Sequence, residues 1–95
     1  MKCQEITFSG HAIRRMFERG INESDIERVV SSGEVILEYP DDRPYPSYLI
    51  LGYSDQTPLH VLIGWDQDTN DCYVITTYIP SPVIWNDDYR SRRES

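Results

Sequence analysis

Three side chains that could form an anion-binding site recur at every fourth position near the start of this sequence. They are His11, Arg15 and Arg19, in a segment whose pattern predicts one short helix. Because an α-helix turns about 100° per residue, steps of four place all three along one edge. One imidazole and two guanidiniums suit a phosphate or a carboxylate, although arginines on a surface helix also pair with carboxylates at this spacing.

A second histidine, His60, lies in a segment with the alternating pattern of a strand. The next predicted strand carries Thr76 and Tyr78, and antiparallel pairing could bring them close to His60, although the register cannot be read from the sequence. The alternative for His60 is a buried histidine satisfied by a backbone carbonyl. For Tyr78 it is a packed aromatic side chain, and for Thr76 ordinary strand preference.

The charge of the chain is unevenly distributed. The 95 residues carry a net charge of −7, and 39% of them are hydrophobic, which is typical of one globular domain over residues 1–95. Residues 34–71 hold eight acidic side chains against Arg43 alone, while both ends of the chain sum to zero. An acidic balance argues against general nucleic-acid binding, but a cationic site built from the two ends is compatible with it.

The cysteines and the apolar segments limit the compartment and the cofactors. No apolar run reaches the length of a membrane span and no signal peptide is recognisable, so we expect a cytoplasmic protein that does not enter membranes. Cys3 and Cys72 lie far apart, and disulfides are unusual in the cytoplasm, so two free thiols are expected. No Cys-x-x-Cys pair is present, and we predict neither a metal site nor a cofactor.

Two helices are predicted at the start of the chain. Ser9 is a suitable N-cap for the first and Gly20 a suitable end, with Ala12, Ile13, Met16 and Phe17 as the buried face. The second helix opens at Asn22 or Ser24, has an apolar face of Ile26, Val29 and Val30, and ends at Gly33. The short connection between the helices predicts a helical hairpin.

Four strands are predicted after the helices, because the apolar period changes from helical to two. Their ranges are 35–39, 48–53, 59–65 and 72–79. Short polar turns favour an antiparallel meander. We therefore predict an α+β fold in which an N-terminal helical hairpin packs on a curved four-stranded antiparallel sheet.

A second basic cluster, Arg90, Arg92 and Arg93, forms a short basic C-terminal tail after Trp85. The simplest interpretation is a solvated tail. If the tail returns along the sheet edge instead, its arginines, Arg90 first, could supply phosphate contacts beside the helical arginines.

The sequence resembles a small bacterial family, domain of unknown function 4258, over nearly its whole length. The resemblance begins with Phe8-Ser-x-His11-Ala12-x-x-Arg15-Met16-x-x-Arg19-Gly20-Ile21. It continues through Gly33-Glu-Val-Ile36, Asp41-Asp-Arg43, Tyr48-Leu-Ile-Leu-Gly52, Leu59-His60-Val61, Ile75-Thr76-x-Tyr78, Trp85 and Arg90 to Arg93. The family in turn looks like a branch of the RelE/barnase-like fold.

The resemblance implies a toxin of a type II toxin–antitoxin pair that acts as a metal-independent endoribonuclease, with RNA as substrate and a cognate antitoxin as partner. Cleavage by attack of a ribose 2′-hydroxyl needs a base, cations for the phosphorane and an acid. His11 or His60 is the predicted base and Tyr78 assists the leaving group. The predicted substrate-binding residues are Arg15, Arg19, Thr76 and Arg90.

The alternative is a protein-binding module or degenerate toxin without catalysis. The acidic middle of the chain favours it, because such a surface suits a basic partner. The sequence leaves open whether the chain associates with itself.

Overall fold

A computed structural model describes residues 1–94, which form two helices and five strands. In chain order the elements are β1 (Ile6–Phe8), α1 (Gly10–Arg19), α2 (Glu23–Ser32), β2 (Glu34–Tyr39), β3 (Ser47–Ser54), β4 (Thr57–Asp66) and β5 (Asp71–Tyr78). The four predicted strands correspond to β2 to β5, and they form the expected antiparallel meander. In the part of the chain described, neither helix is long and apolar enough to cross a membrane.

The predicted four-stranded antiparallel sheet is wrong, because a fifth strand makes the sheet mixed. Its order is β1-β5-β4-β3-β2, and β1 pairs with β5 in parallel, Ile6 opposite Cys72 and Phe8 opposite Val74. The backbone N–H of Cys72 donates to the carbonyl of Glu5, which extends this pairing. A strand of three residues is too short to show a period, so the sequence pattern could not reveal it.

The predicted helical hairpin is also wrong, although both helices lie where their caps indicate. Ser9 caps α1, and Gly20 ends it with a left-handed φ of 68°. Asn22 caps α2, in a capping box with Asp25. Helix α1 packs against β5, whereas α2 packs against β3, so each helix covers its own part of one sheet face. The apolar faces of both helices point to the sheet, and together they enclose one core cluster.

The buried face of α1 is narrower than predicted. Ala12 and Met16 are buried in the core, but Ile13 is 56% exposed and Phe17 is 90% exposed. These two side chains follow each other at a spacing of four along one flank of the helix, where the sheet does not reach. The prediction that Ile13 and Phe17 are core residues is therefore wrong.

A bulge in β5 changes which residues share a face. Leu62 lies opposite Thr76 and Ile63 lies opposite Val74, so Ile75 is the extra residue of β5. Cys72 and Val74 consequently point into the core under the helices. Thr76 and Tyr78 lie on the other face, where Tyr78 is opposite His60. The regular alternation of the sequence predicts that all four share one face, and the bulge is the reason why this prediction is wrong.

Cys3 and Cys72 form a disulfide with a Cα–Cα distance of 5.7 Å, so the prediction of two free thiols is wrong. Cys72 is fully buried beside the core. The bond holds the N-terminal segment against β5, next to the short parallel pairing of β1. The disulfide therefore holds β1 in place covalently, in addition to the few backbone hydrogen bonds of this short strand.

We expect loss of the disulfide to destabilise the fold without changing its topology. The bond joins residues 69 apart, so opening it enlarges the entropy of the unfolded chain and lowers the free energy of unfolding by about 2–4 kcal/mol. Urea unfolding of the protein with and without dithiothreitol measures this difference.

The matched control is the double variant Cys3→Ala/Cys72→Ala, whose unfolding midpoint should not respond to dithiothreitol. Equal midpoints for the oxidised and reduced wild-type protein would show that the bond contributes nothing to stability.

Candidate functional site

His60 lies on the sheet face that the helices do not cover, and it is completely buried there. Its Nε2 is 2.8 Å from the backbone carbonyl oxygen of Tyr89, and its Nδ1 is 3.1 Å from the hydroxyl oxygen of Tyr78. The ring of Trp85 meets the imidazole edge to face at 4.4 Å between centroids. The expectation that His60 lies near Tyr78 is confirmed, and so is the carbonyl partner of the alternative interpretation.

These contacts define which nitrogen carries the proton. A backbone carbonyl only accepts hydrogen bonds, so Nε2 carries the hydrogen that it donates to Tyr89. In the neutral ring Nδ1 is then an acceptor, and the hydroxyl of Tyr78 donates to it. Burial lowers the pKa of His60 below its usual 6.5, while the carbonyl of Tyr89 raises it by a smaller amount. His60 is therefore neutral at pH 7, and the lone pair of its Nδ1 accepts the hydrogen bond from Tyr78.

The C-terminal segment, residues 84–93, supplies two of these three contacts because it folds back over the sheet. Trp85 and Arg92 form an isolated antiparallel bridge, and the N–H of Asn86 donates to the carbonyl of Ser91. Tyr89 has a φ of 59°, a left-handed conformation that a tyrosine rarely adopts. A strained backbone at this position aims the Tyr89 carbonyl at the imidazole.

Tyr78 also faces an open pocket of about 370 Å³, which we call the Tyr78 pocket. Its lining consists of Tyr39, Asp42, Ser47, Leu49, Leu62, Tyr78 and Arg92. The guanidinium of Arg92 lies 5.5 Å from the centre of the Trp85 ring, and within residues 1–94 it forms no salt bridge. The hydroxyl of Ser47 donates to Asp42 at 2.6 Å. The pocket thus combines the phenol of Tyr78, the guanidinium of Arg92 and the carboxylate of Asp42.

Opposing effects act on the phenol. Burial raises the pKa of Tyr78 above 10.0, the Arg92 charge lowers it, and Tyr39 raises it. The net direction is upward, so the phenol keeps its proton at neutral pH. Tyr78 therefore presents a neutral hydroxyl to the pocket, with an acceptor nitrogen behind it and a cation beside it.

The structure does not bring the three predicted helical residues, His11, Arg15 and Arg19, to the Tyr78 pocket. They lie on α1, which covers the opposite face of the sheet. Arg15 pairs with Glu18 at 3.3 Å, as the alternative interpretation expects. Arg19 lines a separate cleft of about 180 Å³ with Asp25. His11 is exposed, and the hydroxyl of the Ser9 cap is occupied by Ala12 and Ile75.

The other two predicted binding residues have different positions. Thr76 lies on the same face as Tyr78 and opposite Leu62, so it flanks the Tyr78 pocket without lining it. Arg90 forms a salt bridge with Glu34, with its Nε and Nη2 groups at 2.8–3.1 Å from the carboxylate oxygens. Its charge is compensated there, and the tail fastens to β2 at this point instead of remaining solvated.

Sequence reasoning missed Trp85 as a wall of the site, the Tyr89 carbonyl, and Arg92 as the arginine that faces the pocket. No sequence signal separates Arg92 from its neighbours, because the fold of the tail decides their directions. Within the described chain, no three His, Cys, Asp or Glu side chains come together as a metal site. The arrangement can accept a proton from a bound hydroxyl and hold an anion.

Comparison with known proteins gives one match. The model of the family described as "Domain of unknown function (DUF4258)" matches residues 8–79, which include α1, His60 and Tyr78. No curated protein and no solved structure matches the chain. The implied kinship with the RelE/barnase-like fold therefore stays a prediction.

We predict that the buried neutral state of His60 makes stability depend on pH. Below about pH 6.5 the unfolded histidine takes up a proton that the folded one refuses, so the free energy of unfolding should fall as the pH drops from 7.5 to 5.5. Above that range both states are neutral and the contribution vanishes. Urea unfolding at several pH values measures it, and nitrogen chemical shifts of the imidazole report the Nε2–H form.

The variant His60→Gln removes the titrating group, while His11→Gln removes an exposed histidine and serves as the control. The first should lose part of the pH dependence and the second should keep it. A His60 signal in the wild-type protein that titrates near pH 6.5 would contradict the assignment, whether or not the variant folds.

Proposed function

The chain belongs to the DUF4258 family, whose model spans well over half of it, and we propose that it cleaves RNA at the Tyr78 pocket. The observation that carries the proposal is the contact between the Tyr78 hydroxyl and the acceptor nitrogen of buried His60, beside the guanidinium of Arg92. A base for the 2′-hydroxyl and a cation for the phosphorane are the two main requirements of this reaction.

In the proposed mechanism Tyr78 relays a proton. The phenol oxygen accepts the proton of the ribose 2′-hydroxyl while its own proton moves to Nδ1 of His60, which becomes an imidazolium held by the Tyr89 carbonyl. The 2′-oxygen attacks the adjacent phosphorus, and Arg92 compensates the charge that develops on the phosphate oxygens. The bond to the 5′-oxygen breaks, and water protonates that oxygen. The hydroxide formed from that water takes the proton of His60 back through the Tyr78 hydroxyl, which restores the neutral imidazole. The products are a 2′,3′-cyclic phosphate and a free 5′-hydroxyl.

This mechanism changes the roles that the sequence predicted. His60 is completely buried, so it acts through Tyr78 and does not touch the substrate. Tyr78 serves the attacking hydroxyl instead of the leaving group. Arg92 replaces Arg90 as the phosphate contact, because Arg90 is occupied by Glu34. His11, Arg15 and Arg19 have no part in the chemistry.

The charge of the protein restricts how it can hold RNA. Asp42 lines the same pocket as Arg92, and the whole chain carries −7. Extensive contact with a polyanion is therefore unfavourable, and we infer that the protein engages one scissile phosphate of a single strand with few further phosphate contacts. Affinity should then fall with salt, with the shallow slope that few neutralised phosphates produce.

We further propose that the activity serves as the toxin of a toxin–antitoxin pair in the cytoplasm, where messenger RNA is available. The exposed apolar residues of α1, which offer a cognate antitoxin a contact, support this role, and the resemblance of the family to the RelE/barnase-like fold implies it. Expression without the antitoxin should then arrest growth.

We expect purified protein to cleave a single-stranded RNA with chelator present, and Tyr78→Phe to lower the rate about 10²–10⁴-fold, because the relay loses its oxygen. The matched control is Tyr53→Phe, which removes a hydroxyl from a half-exposed tyrosine outside the Tyr78 pocket. Arg92→Gln should also be strongly impaired. Its control is Arg14→Gln, which changes an exposed arginine of α1 outside the Tyr78 pocket and should leave the rate unimpaired. Gel analysis with end-group chemistry identifies the cyclic phosphate.

The pH dependence of the cleavage rate separates a catalytic contribution of His60 from a purely structural one. The rate should fall at acid pH once His60 becomes protonated and can no longer accept, and because burial lowers the pKa of His60 this fall should lie below the usual histidine value of 6.5. Cleavage that persists in folded Tyr78→Phe, or that requires an added divalent ion, would sink this mechanism. The cleavage assay is run both with and without ribosomes, so that cleavage which depends on the ribosome is also detected.

A second candidate function is a protein-binding module, favoured by Phe17 and Ile13 on the outer flank of α1. An almost fully exposed phenylalanine beside an exposed isoleucine is unusual on a small protein and suits contact with a partner. An inhibitor of the enzyme could also bind to these two residues. The two candidate functions therefore differ in which surface the activity requires, the Tyr78 pocket for cleavage or the outer flank of α1 for partner binding.

Growth arrest separates the candidates because the two surfaces can be changed independently. If cleavage is the activity, Tyr78→Phe should relieve arrest, and Ile13→Ser/Phe17→Ser should retain it. The reverse pattern in folded, equally expressed variants would establish the binding module and overturn the ribonuclease. Both α1 side chains are exposed, so the double substitution should cost little stability.

A further inference from the structure

A second pocket, of about 230 Å³, adjoins the Tyr78 pocket on the same sheet face. Tyr45, Tyr73, Gly64 and Ile75 line it together with Asp42 and Arg43. Asp42 lines both pockets, so they are neighbours. Pockets for drug-sized molecules occupy about 300–1,000 Å³, so this one suits a single ring system.

Two aromatic rings give the second pocket its character. Tyr45 and Tyr73 stack in parallel, with 5.3 Å between ring centroids and 6° between ring planes. Tyr45 belongs to the loop between β2 and β3, whereas Tyr73 belongs to β5, so this stack fixes the loop against the sheet. Aromatic rings bind nucleobases by stacking, and each of these two rings keeps one face that the other does not cover.

The space itself exists because position 64 has no side chain. On this face β4 presents His60, then Leu62, then Gly64. A Cβ added at Gly64 would meet Ile75 Cδ1 at 3.8 Å and Tyr45 Cβ at 3.9 Å, which are ordinary contact distances. Packing therefore does not demand glycine here. A strand glycine that packing does not demand marks either a bulge, such as the neighbouring one at Ile75, or a place where a ligand approaches the backbone, and the pocket beside Gly64 favours the ligand.

The two pockets are also spaced along one strand. Gly64 lies one same-face step, about 7 Å, beyond Leu62, which lines the Tyr78 pocket. Arg43 lines the second pocket. Its guanidinium carries only hydrogen-bond donors, which suit the carbonyl and ring-nitrogen acceptors at the edge of a base. A neutral ring also avoids the repulsion that the acidic loops exert on phosphates.

We propose that the pocket between Tyr45, Tyr73 and Gly64 is a nucleobase subsite, which holds the base of a nucleotide whose phosphate lies at Arg92. The inference deepens the proposed function and rests on it for the identity of the substrate. It makes recognition depend on one stacked base, so that the protein does not need a basic surface to select single-stranded RNA.

The test measures binding separately from cleavage. Nucleoside 3′-monophosphates are titrated into the ¹⁵N-labelled protein and compared with ribose phosphate, which has no base. We expect base-dependent shifts at the backbone amides of Gly64 and Tyr73. Gly64→Val, which fills the pocket, should lower nucleotide affinity at least tenfold and leave ribose phosphate binding unchanged. Tyr53→Phe is the control outside the pocket.

The outcomes distinguish the subsite from the reaction. Base-dependent shifts at Gly64 that vanish in Gly64→Val establish the subsite, even if no RNA is cleaved and the proposed reaction fails. RNA cleavage in which an abasic nucleotide at the scissile position is cut as fast as a normal one overturns the subsite while the reaction stands. Nucleotide binding that is unchanged in Gly64→Val also overturns it, and the fold of that variant is verified by its amide spectrum.

Discussion

A buried imidazole needs a partner for each of its two ring nitrogens, and here the partners come from different parts of the chain. The sheet supplies the hydroxyl of Tyr78, and the C-terminal segment supplies the carbonyl of Tyr89 and the ring of Trp85. An unsatisfied polar group in this position would cost about 1–3 kcal/mol. The requirement thus links the tail to the sheet, and both the Tyr78 pocket and the direction of Arg92 depend on that link.

The elements of the fold with strong local signals could be predicted from the sequence. Ser9 and Gly20 bound α1 because a cap hydroxyl and a left-handed glycine act within one helical turn. Strands β2 to β5 were recognisable because their apolar period persists over several residues. Strand β1 was not, since its pairing with β5 and the Cys3–Cys72 bond depend on residues far apart in sequence.

The candidate site was predicted in part for the same physical reason. His60 and Tyr78 meet because neighbouring strands of a meander pair, which the pattern indicates. His11, Arg15 and Arg19 lie on the other side of the sheet from His60 and Tyr78, which helical spacing could not indicate, because it shows which side chains share an edge but not which edge the sheet covers. Arg92 and Trp85 could not be assigned because their positions follow from the irregular fold of the tail around His60.

The bulge at Ile75 gives β5 one position at which a residue can be lost without re-aiming the rest of the strand. Cys72 and Val74 serve the core, Thr76 and Tyr78 serve the opposite face, and Ile75 is the extra residue between the two pairs. An in-frame loss of the Ile75 codon would make Val74 and Thr76 consecutive residues of a regular strand, opposite Ile63 and Leu62, so that both pairs keep their facing. Among natural variants, a single-codon deletion should therefore be tolerated better at Ile75, whose side chain is partly exposed, than within β4, whose register with β3 is unbroken.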